Sequence, residues 1–332
     1  MKAFKHPLAS AALLSSLPFA ISANAEENAS AGFQHQVSYY NIDNTLSLQG
    51  SDIVGYRYYF EQVDDSTIPV LLVEQLAQTG FVNANWVTGS GADIFAVSGE
   101  AYLTDDWYLG GQVSYFDMKS LFDSVDLDTY SFEIWGGYDF SKYTSVSTSV
   151  FYSKDDERVS SSASASDYLG VVFFDPGFYN TLERFAGVPP VAVHFRSTND
   201  TRALETESYI VRLDATHYLK LSDNQGVNFK GVYSYYDVRN VSELSIPISS
   251  GGGRSINYHH FDLAADWFIT PNWSIGATYN YLDTSGRDSL DSWRAQTAYQ
   301  YRFDNGVYLG IEYLYNFETE TDLFYLNAGW RF

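Results

Sequence analysis

The feature that most restricts this chain is a hydrophobic alternation with a period of two, running from residue 33 to the last residue and broken only by turns and polar connections. In the final stretch Phe324, Leu326, Ala328, Trp330 and Phe332 share one face, and Tyr325, Asn327, Gly329 and Arg331 share the other. Upstream, Trp293, Ala295, Thr297, Tyr299, Tyr301 and Phe303 alternate with Arg294, Gln296, Ala298, Gln300 and Arg302. A strand turns successive side chains to opposite sides, so each segment has one apolar and one polar face. Hydrocarbon accepts the first face and rejects the second.

Composition fits this picture. Aromatic residues make up 17% of the chain, yet mean hydropathy is slightly negative. After residue 25 no apolar run approaches the ~20 residues that a membrane-spanning helix needs. Alternation reconciles the two facts, because it averages to neutrality while still presenting an apolar outer band. The expected fold is all-β, a closed antiparallel transmembrane barrel of about fourteen strands. The further segments are 33–40, 52–60, 81–87, 95–103, 107–116, 130–140, 144–152, 208–219, 227–236, 258–269, 273–282 and 307–314.

The connections alternate in length. Those at 104–106, 141–143, 222–225, 270–272 and 304–306 are short, and each lies between two longer ones. Short periplasmic turns and longer external loops are the habit of outer-membrane barrels, and this parity places the C-terminus on the periplasmic side. Trp107, Tyr138, Phe140, Trp267, Trp273, Phe303, Trp330 and Phe332 cluster at strand ends near the short turns, as an interfacial aromatic girdle would.

The N-terminus sets the compartment. Lys2 and Lys5 precede a mostly apolar stretch from Leu8 to Ile21 and an Ala23-Asn24-Ala25 cleavage site, so residues 1–25 read as a Sec signal peptide and 26–332 as the exported barrel of a Gram-negative outer membrane. With Lys2 and Lys5 removed, 17 basic residues face 41 acidic ones, a mature net charge of −24 that argues against a nucleic-acid partner. Cysteine is absent, which excludes disulfides and thiolate metal sites.

Two segments fit the strand pattern poorly. Ile68 to Gln78 stands where a short periplasmic turn is expected, and its Leu71, Leu72, Glu74 and Leu76 spacing suits a short helix or part of a strand. The connection 154–206 is far longer than usual and is either a functional loop or holds two more strands, 168–174 and 191–195, which would make sixteen. The pairs Pro176-Gly177 and Pro189-Pro190 favour a loop folded inward.

Function moves to the inward face, because a barrel this wide leaves an aqueous lumen. The candidate pore-lining residues are Arg57, Glu100, Glu133, Arg212, Asp214, Lys230, Asp262, Asp266, Arg294, Arg302 and Glu312, with Asp139 and Arg331 on the same face. Passive diffusion of small hydrophilic solutes and ions through a water-filled channel is the expected activity, with no enzyme chemistry and no cofactor. Two alternatives stay open: a barrel enzyme of lipase or protease type, and a non-conducting adhesin or structural barrel. His260 and Asp262 share a face by periodicity, but no G-x-S-x-G motif accompanies them. Surplus acid such as Asp155-Asp156-Glu157 and Glu318 to Asp322 is expected at the solvated surface, where divalent cations would bridge it to lipopolysaccharide.

The signal peptide, the Trp-started strands after TDD and TPN turns, and the terminal Tyr325-Leu326-Asn327-Ala328-Gly329-Trp330-Arg331-Phe332 resemble those of the general porins of Gram-negative bacteria. The resemblance implies a homotrimer and a long loop folded into the channel, for which Asp175, Glu183, Arg184 and Arg196 are the candidate constriction residues. It also implies that Phe332 and Trp330 form the signal read by the barrel-assembly machinery.

Overall fold

Closure is decided by a pairing between the two ends of the described chain. In the computed structural model, which describes residues 32–43, 51–64, 69–89, 92–119, 125–159, 204–240, 255–284, 289–318 and 320–332, strand β1 (Phe33–Asp43) lies antiparallel to β14 (Thr321–Arg331), with Gln36 opposite Arg331 and Tyr40 opposite Asn327. The Phe332 carbonyl accepts hydrogen bonds from the Gln34 and His35 amides at 3.1 and 2.9 Å. The Phe332 ring stacks on His35 at 5.1 Å.

Between these run β2 (Ser51–Val63), β3 (Phe81–Gly89), β4 (Ala92–Tyr102), β5 (Trp107–Lys119), β6 (Val125–Ser141) and β7 (Thr144–Val159). The second half comprises β8 (Leu204–Ser222), β9 (Gln225–Asn240), β10 (Ser255–Thr270), β11 (Trp273–Thr284), β12 (Leu290–Arg302) and β13 (Val307–Asn316). Every strand pairs with its sequence neighbours, and the ring of fourteen is closed. A closed ring gives each backbone amide a partner and leaves no edge, the condition for placing strands in hydrocarbon.

Direct pairing of β7 with β8, from Thr144 opposite His217 to Glu157 opposite Leu204, overturns the sixteen-strand alternative. Nothing intervenes between these two strands in the closed ring of fourteen, and the candidate strands 168–174 and 191–195 fall outside the described residues. Both strands also run further than the alternation suggested. Asp155, Asp156 and Glu157 pair with β6 and β8 rather than forming loop, because ladder hydrogen bonds continue past the lipid band where the apolar pattern stops. Residues 160–203, with Asp175, Glu183, Arg184 and Arg196, lie outside the described residues, as does the signal segment 1–25.

The outer face is the apolar one. Val113, Ile134, Leu213, Leu263, Leu309 and Leu326 are all exposed, while their neighbours Gln112, Arg212, Asp262, Tyr308 and Tyr325 are buried inside the ring. Aromatic pairs mark the short-turn end of the outer wall, with Trp107–Tyr138 centroids at 5.0 Å, Tyr301–Phe303 at 4.8 Å and Trp330–Phe332 at 4.3 Å. A second belt stands at the other end, including Tyr115–Tyr130, Tyr152–Tyr209 and Tyr279–Trp293. Rings with an apolar body and a polar tip prefer these two interfaces. The turn Asp304-Asn305-Gly306 joins β12 to β13 with Gly306 at φ +81°, where a side chain would meet the Arg331 carbonyl.

Inside the ring, polar and apolar tiers alternate. At the end remote from the short turns, Tyr40, Ile53, Val87 and Ile94 stand opposite one another in successive ladders of β1 to β4, forming one apolar row across the inner wall. Leu314 faces Leu323 across β13 and β14 and extends the row. Phe151, Ile210 and Tyr236 form a smaller cluster on β7 to β9. The inner face is therefore not polar throughout, because inward side chains on adjacent strands lie close enough to bury one another.

The lipid-facing assignment has a direct test. Ile134 lies seven residues from the end of β6, about 18 Å along the membrane normal for a strand tilted by ~40°. Ile134→Arg is expected to destabilise the barrel in lipid vesicles by about 2–4 kcal/mol in a denaturant titration, and Leu103→Arg, beside the short turn, by only ~0–1 kcal/mol.

Candidate functional site: the lumen and its plug

The connection from β2 to β3 does not turn tightly at the barrel rim; it enters the lumen. A 3-10 turn, η1 (Val70–Leu72), continues into one helical turn, α1 (Val73–Leu76), and two residues later the chain turns at Gln78 with φ 43°. Of the helix and strand open to Ile68–Gln78 from its sequence, the helix is realised, and its position could not be read from the spacing. The apolar spacing supplies the reason for the position. Leu72, Val73 and Leu76 are buried against Phe33 and Tyr59 on one wall and Tyr218 and Phe268 on another.

Its polar residues reach the walls in other directions. Glu74 forms an ion pair with Arg57 of β2 at 2.8 Å and accepts a hydrogen bond from the Gln36 amide of β1 at 2.9 Å. Gln75, the next residue, exchanges amide hydrogen bonds with Asn228 of β9 at 3.2 and 3.4 Å. In a ring of fourteen, β2 and β9 are seven strands apart, so adjacent residues of the plug engage diametrically opposed walls. Gln78 donates to Asp139 of β6 at 3.1 Å, and the Tyr102 hydroxyl donates to the same carboxylate oxygen at 2.7 Å. The segment therefore bridges the ring near its short-turn end.

Magnitudes show what this does to a channel. Fourteen strands ~4.8 Å apart and tilted ~40° make a circular ring roughly 28 Å across at the backbone. A helical turn with its side chains takes up about 10–12 Å of that width. Wall side chains occupy much of the rest, so the free path past the plug is narrow.

Above the plug the lumen opens into a chamber of about 460 Å³. Roughly 10–15 Å³ of such space holds one water, so this chamber takes many. Ten of the eleven candidate pore-lining residues border it: Arg57, Glu100, Glu133, Arg212, Asp214, Lys230, Asp262, Asp266, Arg294 and Glu312. Arg302, at the short-turn end of β12, does not. The alternation identifies the inward side of a strand, but it does not give the height at which a cavity sits.

The plug's Glu74, Gln75 and Gln78 also line the chamber, and Asp139, on the inward face by parity, joins them. Among the described lining residues eight carboxylates face four cationic groups, so the near-balance of the strand residues gives way to an acidic excess. Several charges are tied locally. Arg212 donates to Asp214, two residues along the same face, at 2.7 Å, and Gln296 donates to Asp266.

Trp135 is a lining residue the inward charges did not reveal. Its indole donates to Glu100 at 2.7 Å, and its ring lies over Gly110 where any side chain would collide with it. The available sequence signal was its shared parity with Glu133 and Gly137. His260 and Asp262 stand 3.4 Å apart on the inner wall. Ser234 lies opposite His260 in the ladder, but its hydroxyl is engaged by Tyr236. The outward histidines pair with neighbouring hydroxyls, His35 with Tyr56 and His259 with Tyr233, each at 2.8 Å.

No family model matches this chain, and no curated protein matches its sequence. Solved structures do resemble it. Omp33 of Acinetobacter baumannii aligns over 92% of this chain and 100% of its own, with 17% identity and a TM-score of 0.50. The CymD monoaromatic hydrocarbon channel covers 93% of this chain and 91% of its own at 10% identity and a TM-score of 0.46. The β-domain of the Bordetella autotransporter BrkA covers 91% and 100% at 8% identity and a TM-score of 0.40. With an apolar outer band between two aromatic belts and a charged, polar chamber inside, the fold of this chain is that of a bacterial outer-membrane β-barrel, and the outer membrane is where it resides.

Proposed function

We propose that this barrel is a porin, a passive water-filled channel for small hydrophilic solutes and ions, and that it favours cations. The observation carrying this reading is the charged, hydroxyl-lined chamber at mid-lumen, a volume that serves no packing purpose. Buried ionisable groups in a membrane protein are costly to maintain and line water or pathways. The inward residues of β7 bordering the chamber are Ser145, Ser147 and Ser149, small polar groups that keep one wall open. The carboxylate excess makes the interior potential negative, and low-dielectric walls focus that field.

Purified protein in a planar bilayer is expected to conduct, and a sealed, silent barrel would defeat the reading. In a salt gradient the reversal potential should fall on the cation-selective side. The preference should shrink on going from ~0.1 M to ~1 M salt as the screening length drops from about 10 to about 3 Å. Glu100→Gln together with Glu133→Gln preserves shape and removes two charges. It should lower the cation-to-anion permeability ratio by roughly two- to fivefold, equivalent to ~0.4–1 kcal/mol of lost field.

A further inference from the structure

The cationic groups that border the chamber stand on β2, β8, β9 and β12, and among the described lining residues β4 to β7 carry none. Those strands bring Glu100, Glu133 and Asp139 to the free space, together with the rings of Tyr102, Tyr108 and Trp135. Among the described residues none of these three carboxylates forms an ion pair, in contrast to Asp214 with Arg212 and Glu74 with Arg57. They accept hydrogen bonds from uncharged groups: Glu100 from Trp135, Glu133 from Ser149, and Asp139 from Tyr102 and Gln78. Resting on the pore reading above, we propose that this strip of wall is a binding track for organic cations, small molecules that carry an ammonium or guanidinium group on a body with a carbonyl oxygen.

Two of the rings lie along the wall. The Trp135 indole starts on β6 and reaches Glu100 on β4, crossing β5 over Gly110, where any side chain would collide with it. The Tyr108 ring starts on β5 and reaches Ser147 on β7, crossing β6 over Gly137, which has no room for a side chain for the same reason. A ring laid over bare backbone has one face backed by the sheet and the other turned to the chamber. Its polar edge is already pinned, so the face is preorganised for a ligand. The ring quadrupole attracts a cation placed over it, and guanidinium, planar and weakly hydrated, also stacks there. A small inorganic cation has no surface to stack.

An uncharged donor completes the strip. Gln112 borders the chamber beside Glu133, its ladder partner, and is only 7% exposed, yet its amide nitrogen has no hydrogen-bond partner among the described residues. A buried donor left so is costly, and a carbonyl oxygen on a bound solute satisfies it. Glu133 and Asp139 stand at opposite ends of the strip, ~20 Å apart along β6, and Glu100 is level with Trp135 between them. A succession of weak sites holds a cation without trapping it, the condition for conduction.

Single-channel recordings in potassium chloride test this with Nα-acetyl-L-argininamide, a guanidinium monocation with carbonyl oxygens, and with Nα-acetyl-L-citrullinamide, its uncharged counterpart of nearly the same shape. The arginine derivative should interrupt the current of the unaltered chain in a saturable, concentration-dependent way, and the citrulline derivative should not. Trp135→Leu and, separately, Tyr108→Leu, each first shown to be a folded barrel by heat-modifiable gel migration, should weaken that block roughly three- to thirtyfold. Should a variant not fold, the comparison of the two derivatives on the unaltered chain decides. Equal block by both, or none by either in a chain that conducts potassium, would overturn the track and leave the pore standing. Undiminished block in the folded leucine variants would overturn it too, since carboxylates alone would then suffice. Silence in potassium chloride would end the pore reading and the track together.

Discussion

Every feature of this molecule depends on the requirement that a backbone in hydrocarbon satisfy its own hydrogen bonds. Strands that are half polar cannot meet it singly or as an open sheet, since each edge would leave a row of amides and carbonyls with no partner. The β1 to β14 seam removes the last edge. Once the ring closes, side chains sort by parity: the outer face carries leucines, valines and aromatics to lipid, and the interior takes the charges together with apolar rows that bury one another.

The interior then faces a different problem, because a ring of this width is too large for wall side chains to fill and small enough that inserted chain can. Three arrangements divide the inner surface. Apolar rows on β1 to β4 and β13 to β14 pack laterally, a chamber with an excess of carboxylates occupies the middle, and a short helix braced on aromatic residues crosses the end near the short turns. The helix has no side-chain cap at its N-terminus and is a single turn long, so its own propensity contributes little. What holds it is burial of Leu72, Val73 and Leu76 together with tethers to β1, β2, β6 and β9.

Legibility in the sequence follows from these physics. Alternation assigned the inward face of ten residues that now border the chamber, and it did so without knowledge of neighbours, because parity is a local property of a strand. It misjudged where β7 and β8 end, since hydrogen-bonded pairing outlasts the lipid band that imposes the pattern. Parity says nothing of height, so it could not separate Arg302, which stands outside this chamber, from the ten residues that border it. For constriction, resemblance drew attention to the long connection 154–206, whose residues 160–203 lie outside the described ones; among the described residues it is the segment after β2 that crosses the lumen.

By itself the sequence determined that this chain is a two-faced strand protein closing into a barrel of about fourteen strands, because a period of two with one face apolar has no other stable resting place in a membrane. Only the tertiary structure decided that Glu74 and Gln75, adjacent in the chain, hold opposite walls, and that the lumen is a plugged chamber with an acidic excess. Which residues meet across a ring depends on strand count and on the height of every register, quantities fixed by all the pairings at once and by no single segment.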